Sequence, residues 1–215
     1  MITRKFLAVI LFMTIGFYNM EAQEKGSLEL GLASGINLSN VSNLDNSQSA
    51  DLKTGFNAKA TAEYYFSDRW GIKSSLIYDQ KGYTIKNIEI TDNFGVPVDN
   101  INLKVKVNYL TIPVMANWHF GSNRNWYLHF GSYFGFLLSA KESYQDQDIE
   151  DSFQSVDIGF NGGIGYKFEI SDALKLFFEY DAQSGFTDIL ENVGGNSDTT
   201  RNFRSSFNVG ILFRI

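Results

Sequence analysis

The sequence predicts an all-β protein, an eight-stranded antiparallel up-and-down β-barrel that crosses a membrane with its strands. Three observations lead to this prediction. Apolar residues recur at every second position through most of the chain, which is the period of a β-strand. Short polar turns alternate with long polar loops. Glycines and charged residues of both signs share the strand face opposite the apolar one.

The strands follow from the alternation. In the last segment, Phe203 and Phe207 fall on one face, while Arg204 and Asn208 fall on the other. The same pattern recurs in segments that are longer than the average strand of a globular protein. We predict strands at 27–39, 53–66, 69–85, 103–120, 125–141, 155–170, 173–186 and 202–215.

The connections between these strands alternate in length. The short ones lie near 67–69, 121–125 and 171–173, and the long ones cover 40–52, 86–102, 142–154 and 187–201. This predicts a meander with turns at one end and loops at the other, and an even number of strands lets it close with both chain ends beside the turns. In outer-membrane barrels the short turns face the periplasm and the long loops face outward.

Two closed barrels compete for this pattern. A soluble lipocalin-like barrel turns its apolar face inward around a ligand, whereas an outer-membrane barrel turns that face outward into lipid. The second predicts that Phe160, Phe178 and Phe207 point outward and that Lys175 and Glu179 point inward. Glycines on the polar face favour it, because a crowded narrow lumen needs small residues beside large ones. They are Gly31, Gly35, Gly71, Gly131, Gly135, Gly159, Gly163, Gly165 and Gly210.

Charged residues on the polar face are expected to pair inside the lumen, because an unpaired buried charge is costly. The predicted lumen network consists of Glu29, Lys59, Glu63, Lys73, Lys167, Glu169, Lys175, Glu179, Arg204 and Arg214.

Aromatic residues collect near the strand ends, as in the girdles that mark the two membrane interfaces. The predicted periplasmic girdle consists of Phe66, Trp70, Trp118, Phe120, Trp126 and Phe168. A second set, expected near the long loops, consists of Phe56, Tyr78, Tyr83, Tyr109, Phe136, Tyr180, Phe186 and Phe203.

Residues 1–22 are predicted to be a cleaved signal peptide, which leaves 23–215 as the barrel domain. Basic residues precede an apolar run from Phe6 to Phe17, and Ala22 is a small residue at the expected cleavage site. The run is shorter than the about 20 residues of a membrane-spanning helix, so an uncleaved anchor is the less favoured alternative. The formal net charge of −6 argues against a nucleic-acid partner, and the absence of cysteine excludes disulfides.

The segment "NYLTIPVMANWHF" (108–120) interrupts the alternation. Apolar residues occupy odd positions up to Tyr109 and even positions from Leu110 onward. We predict a β-bulge within about three residues of Leu110, close to Pro113, which lacks a ladder donor.

This segment also carries a family resemblance. "YLTIPVMANWHF" resembles the tyrosine-leucine-x-isoleucine-proline strand of the PorT-like outer-membrane β-barrel family of Bacteroidetes-type bacteria. The signal ending "AQ", "GINLSN" at 35–40 and "GILFRI" at 210–215 are similar to that family too. The resemblance covers the mature chain and implies an eight-stranded outer-membrane barrel. Some members are linked to protein secretion or gliding machinery, and many are called porins.

No enzyme active site, cofactor or metal is predicted. His129 falls on the polar face of the fifth predicted strand and His119 at the end of the fourth, but Ser132 points to the opposite side from His129, so nucleophile and base do not meet. The acidic loop "DQDIED" at 146–151 offers oxygen ligands for Ca²⁺ without the spacing of an EF-hand. "GFNGGIG" at 159–165 lies inside a strand, where a phosphate-binding loop does not occur.

Two function classes remain. The favoured one is a structural or interaction barrel with a side-chain-filled lumen in the outer membrane of a Gram-negative cell, with both termini periplasmic. Its expected partners are outer-membrane lipid, lipopolysaccharide and an envelope protein bound by the extracellular loops. The alternative is a small-solute, porin-like channel of low conductance. Side chains fill the lumen of eight strands, whereas aqueous channels need about 16–18.

Overall fold

The computed structural model describes residues 25–42, 50–91, 94, 96–144, 146–191 and 199–215. The predicted signal peptide, residues 1–22, lies outside the described residues, as do parts of the predicted loops 40–52 and 187–201.

Eight long β-strands form the described chain. They are β1 (Leu28–Ser42), β2 (Lys53–Tyr65), β3 (Trp70–Thr91), β4 (Pro97–Phe120), β5 (Trp126–Glu142), β6 (Val156–Glu169), β7 (Leu174–Gly185) and β8 (Arg201–Arg214). A two-residue strand, Ala50–Asp51, pairs with β3, and Glu150–Ser152 forms a short 3-10 helix. No helix in the described part of the chain is long and apolar enough to cross a membrane.

The strands close into a barrel. Each strand is antiparallel to its neighbours in chain order. The ring is completed by β1 and β8, which pair from Glu29↔Arg214 to Ser42↔Arg201. In a closed ladder the backbone N–H and C=O groups hydrogen-bond to neighbouring strands, which is necessary in a lipid bilayer because the hydrocarbon offers them no partners. The eight-stranded up-and-down fold predicted from the sequence is therefore confirmed.

The hairpin of β3 and β4 is longer than predicted. The sequence predicted a loop over 86–102, but the ladder continues to Ile90↔Asp99 and Thr91↔Pro97. A register shift between Ile85 and Ile88 accommodates Asn87, whose φ of 55° is left-handed, a region that asparagine tolerates. Polar residues dominate this extension, and polarity alone made it resemble a loop.

The predicted bulge lies at the expected level but belongs to the opposite strand. Asn108 pairs with Ser139 and Tyr109 with Leu137, so the extra residue is Leu138 of β5. β4 itself keeps its phase, because Val107 and Tyr109 are buried like the odd-numbered residues that follow. The apolar pattern changes phase because the interior becomes apolar at this end of the barrel.

The two faces of the wall have the orientation that a membrane barrel requires. Phe160, Phe178 and Phe207 are 45%, 49% and 61% exposed, whereas Lys175 and Glu179 are 3% and 4% exposed. A soluble ligand-binding barrel would show the reverse. The apolar face therefore forms the outer surface, and charged residues occupy the interior.

Candidate functional site

The lumen is the part of the molecule where polar chemistry is concentrated. We call the end with the three short turns the turn end, and the opposite end the loop end. The described lumen holds ion pairs in three layers. Their cations are Lys59, Lys73, Lys81, Lys167, Lys175, Arg204 and Arg214, and their carboxylates are Glu29, Glu63, Asp79, Asp157, Glu179 and Asp181.

The turn-end layer is centred on Lys167 of β6. Its ammonium donates to Glu29 Oε2 at 2.7 Å and to Glu63 Oε2 at 3.0 Å. Lys175 donates to the other oxygen of Glu29 at 2.8 Å, and His119 Nε2 lies 2.6 Å from Glu63 Oε1. Five strands are thus tied together across the barrel axis.

The middle layer is centred on Glu179 of β7. Lys59 Nζ donates to its Oε1 at 2.5 Å, Lys73 Nζ donates to its Oε2, and the Tyr127 hydroxyl donates to Oε2 at 2.9 Å. Lys59 also reaches Asp181 at 3.0 Å. All of these charged groups are buried, so they depend on one another for the solvation that water would supply.

Arg204 of β8 completes the middle layer. Its Nη2 lies 2.6 Å from Asp181 Oδ1, and its Nε lies 3.4 Å from Asp79 Oδ2. The layer therefore contains three cations and three carboxylates, and its formal charge is zero.

The loop-end layer contains one ion pair beneath an apolar cluster. Lys81 Nζ lies 3.2 Å from Asp157 Oδ2, and the Tyr133 hydroxyl bonds the same carboxylate at 3.1 Å. The cluster above it packs strand residues against the segments after β5 and β7. Its buried members are Val41, Tyr83, Val105, Val107, Tyr109, Ala140, Phe153 and Ile189. Tyr83 and Tyr109, which the sequence assigned to a lipid-facing girdle, are therefore interior residues.

Inward glycines make room for the large interior side chains. A Cβ at Gly165 would overlap the Tyr127 ring, and a Cβ at Gly159 would lie 2.6 Å from Tyr133 Cε1. This is the small-beside-large packing of a narrow barrel. The two tyrosines can therefore lie across the lumen and reach the carboxylates of the middle and loop-end layers.

The predicted lumen residues differ in where they lie. Glu29, Lys59, Glu63, Lys73, Lys167, Lys175, Glu179 and Arg204 are buried in the layers. Arg214 is half-buried at the turn-end rim, 3.9 Å from Glu29. Glu169 is exposed at the end of β6 and lies outside the network. The prediction did not include Lys81, although it lies two residues from the inward Asp79.

The turn-end girdle is a nearly continuous chain of rings on the outer surface. Ring centroids are 6.3 Å apart for Trp70–Trp118, 5.1 Å for Trp118–Phe120 and 6.2 Å for Phe120–Trp126. The chain continues through Tyr166, which the sequence prediction did not include, to Phe168 at 4.5 Å. All three tryptophans of the sequence lie in this girdle.

The histidines have structural surroundings. His119 contacts Glu63, and His129 Nδ1 lies 3.6 Å from Glu179. Ser132 is exposed on the outer face, whereas His129 is buried in the lumen. Within the described ranges, no group of three or more histidine, aspartate and glutamate side chains is arranged to hold a metal ion.

A charged lumen inside an apolar wall with one aromatic girdle defines an outer-membrane β-barrel. The chain belongs to the outer membrane protein beta-barrel domain family, whose model matches residues 21–191. It resembles the solid-state NMR structure of outer membrane protein AlkL in DMPC bilayers, with a TM-score of 0.52, 11% identity, and coverage of 94% of this chain and 97% of that chain. It also resembles outer membrane protein OprG from Pseudomonas aeruginosa, with a TM-score of 0.51, 11% identity, and coverage of 91% and 99%. At these identities the likeness shows the fold alone. No curated protein matches the chain in sequence.

Proposed function

We propose that this protein is a structural or interaction barrel whose lumen does not conduct solutes and whose loop end contacts partners outside the cell. The observation that supports this proposal is the middle layer. Lys59, Lys73 and Arg204 come from three different strands and meet the carboxylates of Asp79, Glu179 and Asp181 across the axis. Ions that bridge the lumen at these distances occupy the space that a water column needs.

The apolar cluster at the loop end supports the same proposal. Phe153 and Ile189 are 5% and 1% exposed, and they come from the segments that follow β5 and β7. These segments fold over the interior rather than away from it. A solute would have to pass this cluster before it reached the ion pairs.

Planar-bilayer recording on the purified protein tests the proposal. We expect no steady single-channel current from the wild type. A matched variant, Glu169→Gln, changes an exposed carboxylate outside the network and should behave identically. Large steady currents from the folded wild type would refute the filled-lumen proposal.

The alternative, a low-conductance small-solute channel, is favoured by one observation. Neither ring nitrogen of buried His129 and neither amide atom of buried Gln183 has a hydrogen-bond partner among the described residues. Such groups are ordinarily satisfied by internal water. Small currents that His129→Phe abolishes would support this narrow hydrated path over the closed lumen.

We propose the orientation of other outer-membrane barrels, with the turn end and both termini periplasmic and residues 1–22 removed as a signal peptide. The cysteine-free sequence makes this testable by labelling. Tyr144→Cys at the loop end should react with an impermeant maleimide on intact cells, and Ser122→Cys at the turn end should not. The opposite pattern would reverse the orientation.

We further propose that the chain is a PorT-like member of its family and that its loop end binds an envelope protein. The motif "YLTIPVMANWHF" lies in β4, whose hairpin with β3 extends well beyond the apolar wall. Shortening this hairpin should remove binding to a cell-envelope extract while the barrel still folds. Retained binding would exclude the hairpin as the recognition element.

A further inference from the structure

Three exposed lysines gather on the outer wall at the loop end of β4 and β5, and the buried Lys53 of β2 lies close to them. Lys104 and Lys106 are exposed on β4, and Lys106 pairs directly with exposed Lys141 of β5. On its other side Lys106 pairs with Gly82. A Cβ atom added at Gly82 would lie 3.2 Å from Lys53 Cδ. We call Lys53, Lys104, Lys106 and Lys141 the lysine patch.

The patch lies immediately beyond the apolar belt. The outward residues of β4 are apolar from Phe120 to Leu110, and then follow Asn108, Lys106 and Lys104. The ten residue-to-residue steps from Leu110 to Phe120, at about 3.4 Å each on a strand tilted by about 40°, span about 25 Å along the membrane normal. That is the height of the lipid-facing band of an outer-membrane barrel, so the lysine ammonium groups lie at the level of the lipid head groups.

The arrangement of the patch is unfavourable without an anion. Like charges directly opposite each other on neighbouring strands destabilise a sheet. Among the described residues, Lys141 forms an ion pair with Asp146 at 3.8 Å, and no described ion pair involves Lys104 or Lys106. By contrast, Lys86 on the same hairpin is paired with Asp51 at 2.8 Å.

Lys53 is the buried member of the patch. Its ammonium donates to the carbonyl oxygen of Lys81 at 3.2 Å, and the residue is 8% exposed. This bond holds the Lys53 ammonium against the backbone of β3, the strand that pairs with Lys104 and Lys106. The patch therefore combines three exposed lysines with one buried lysine that is held by a hydrogen bond.

We propose that the lysine patch binds the phosphate groups of lipopolysaccharide in the outer leaflet. The proposal rests on the orientation given under the proposed function, which places the loop end at the outer surface. Phosphate oxygens at head-group height would separate the opposed lysines and neutralise them. The acyl chains of the same lipid would lie along the apolar wall below.

The test is binding of bisphosphoryl lipid A to the detergent-purified barrel, measured by native mass spectrometry. Each lysine near an anionic surface contributes about fivefold in affinity. The triple variant Lys104→Gln, Lys106→Gln and Lys141→Gln should therefore bind about a hundredfold more weakly. The matched control Lys86→Gln should bind like the wild type, because Lys86 already has a carboxylate partner. Replacing the three lysines with arginine should retain binding.

Three results would overturn the proposal. The first is equal binding of bisphosphoryl lipid A by the wild type and the glutamine variant. The second is that the wild type binds dephosphorylated lipid A as tightly as bisphosphoryl lipid A. The third is that it binds phosphatidylglycerol equally tightly, which would indicate only a general attraction to anions. Failure of the proposed function is distinguishable, because it would appear as current in the planar-bilayer recording or as the reversed pattern of cysteine labelling. The lysines on the outer wall affect neither measurement.

Discussion

The middle layer of the lumen makes a specific prediction about stability. Glu179→Gln keeps the size of the side chain but removes one negative charge from a layer that holds three cations and three carboxylates. Lys59 retains Asp181 at 3.0 Å. Lys73 loses the only carboxylate with which it is paired among the described residues.

The expected cost is large because Lys73 is buried. Breaking a buried ion pair by removing one partner costs about 3–5 kcal/mol, since an uncompensated charge remains. The double variant Lys73→Met/Glu179→Gln restores the balance of charge, and replacing both partners of such a pair is close to neutral. The free energy of unfolding should therefore recover by at least about 2 kcal/mol relative to Glu179→Gln.

Urea unfolding of the barrel in lipid vesicles, followed by tryptophan fluorescence, measures these differences. Glu169→Gln serves as the matched control, because it removes an exposed glutamate, and it should change stability by less than about 0.5 kcal/mol. The reasoning fails if Glu179→Gln costs less than about 1 kcal/mol. It also fails if the loss in the free energy of unfolding of the double variant equals the sum of the losses for Lys73→Met and Glu179→Gln measured singly.

Three further predictions follow from the packing. Gly165→Ala should destabilise the barrel by about 1–3 kcal/mol in urea unfolding, because the added Cβ overlaps the Tyr127 ring. The outward Gly162→Ala is the control, and equal effects of the two substitutions would contradict the contact between residue 165 and Tyr127. Tryptophan fluorescence should be quenched most by lipids brominated near the carbonyl group and least by lipids brominated at the chain end, because all three tryptophans lie in one girdle; uniform quenching would show that they are spread across the bilayer. Phe153→Asp should expose the segment after β5 to protease while the barrel remains folded, because Phe153 packs in the apolar cluster with Ile189; unchanged resistance would show that the cluster does not hold this segment.

The wall of the barrel could be predicted because lipid imposes a simple rule on it. Most outward residues along β8, such as Phe203 and Phe207, are apolar, while Arg204 and Asn208 are accommodated inside. The same rule failed at the loop end. Tyr109 and Val107 are apolar because the interior changes from ion pairs to an apolar cluster, and alternation alone cannot distinguish burial inside from exposure to lipid.

The partners within the lumen could not be predicted. Lys59 and Glu179 are 120 positions apart, and their meeting depends on the register of all the strands between them. Glu169 follows the alternation of β6, but it lies beyond the last layer of the network and is exposed to solvent. Periodicity therefore identifies the face of a residue, whereas strand register determines its height and its partner.

The pairing of β1 with β8 links the first strand to the last, and its consequence concerns assembly. Glu29 on β1 receives its cations from β6 and β7, which are made more than a hundred residues later. An unfinished sheet would therefore carry an orphan carboxylate into the hydrocarbon, where isolated charge is not tolerated. Insertion and ring closure are thus coupled, because a chain that lacks β6 and β7 must bring Glu29 into the bilayer either as an unpaired charge or in its protonated form.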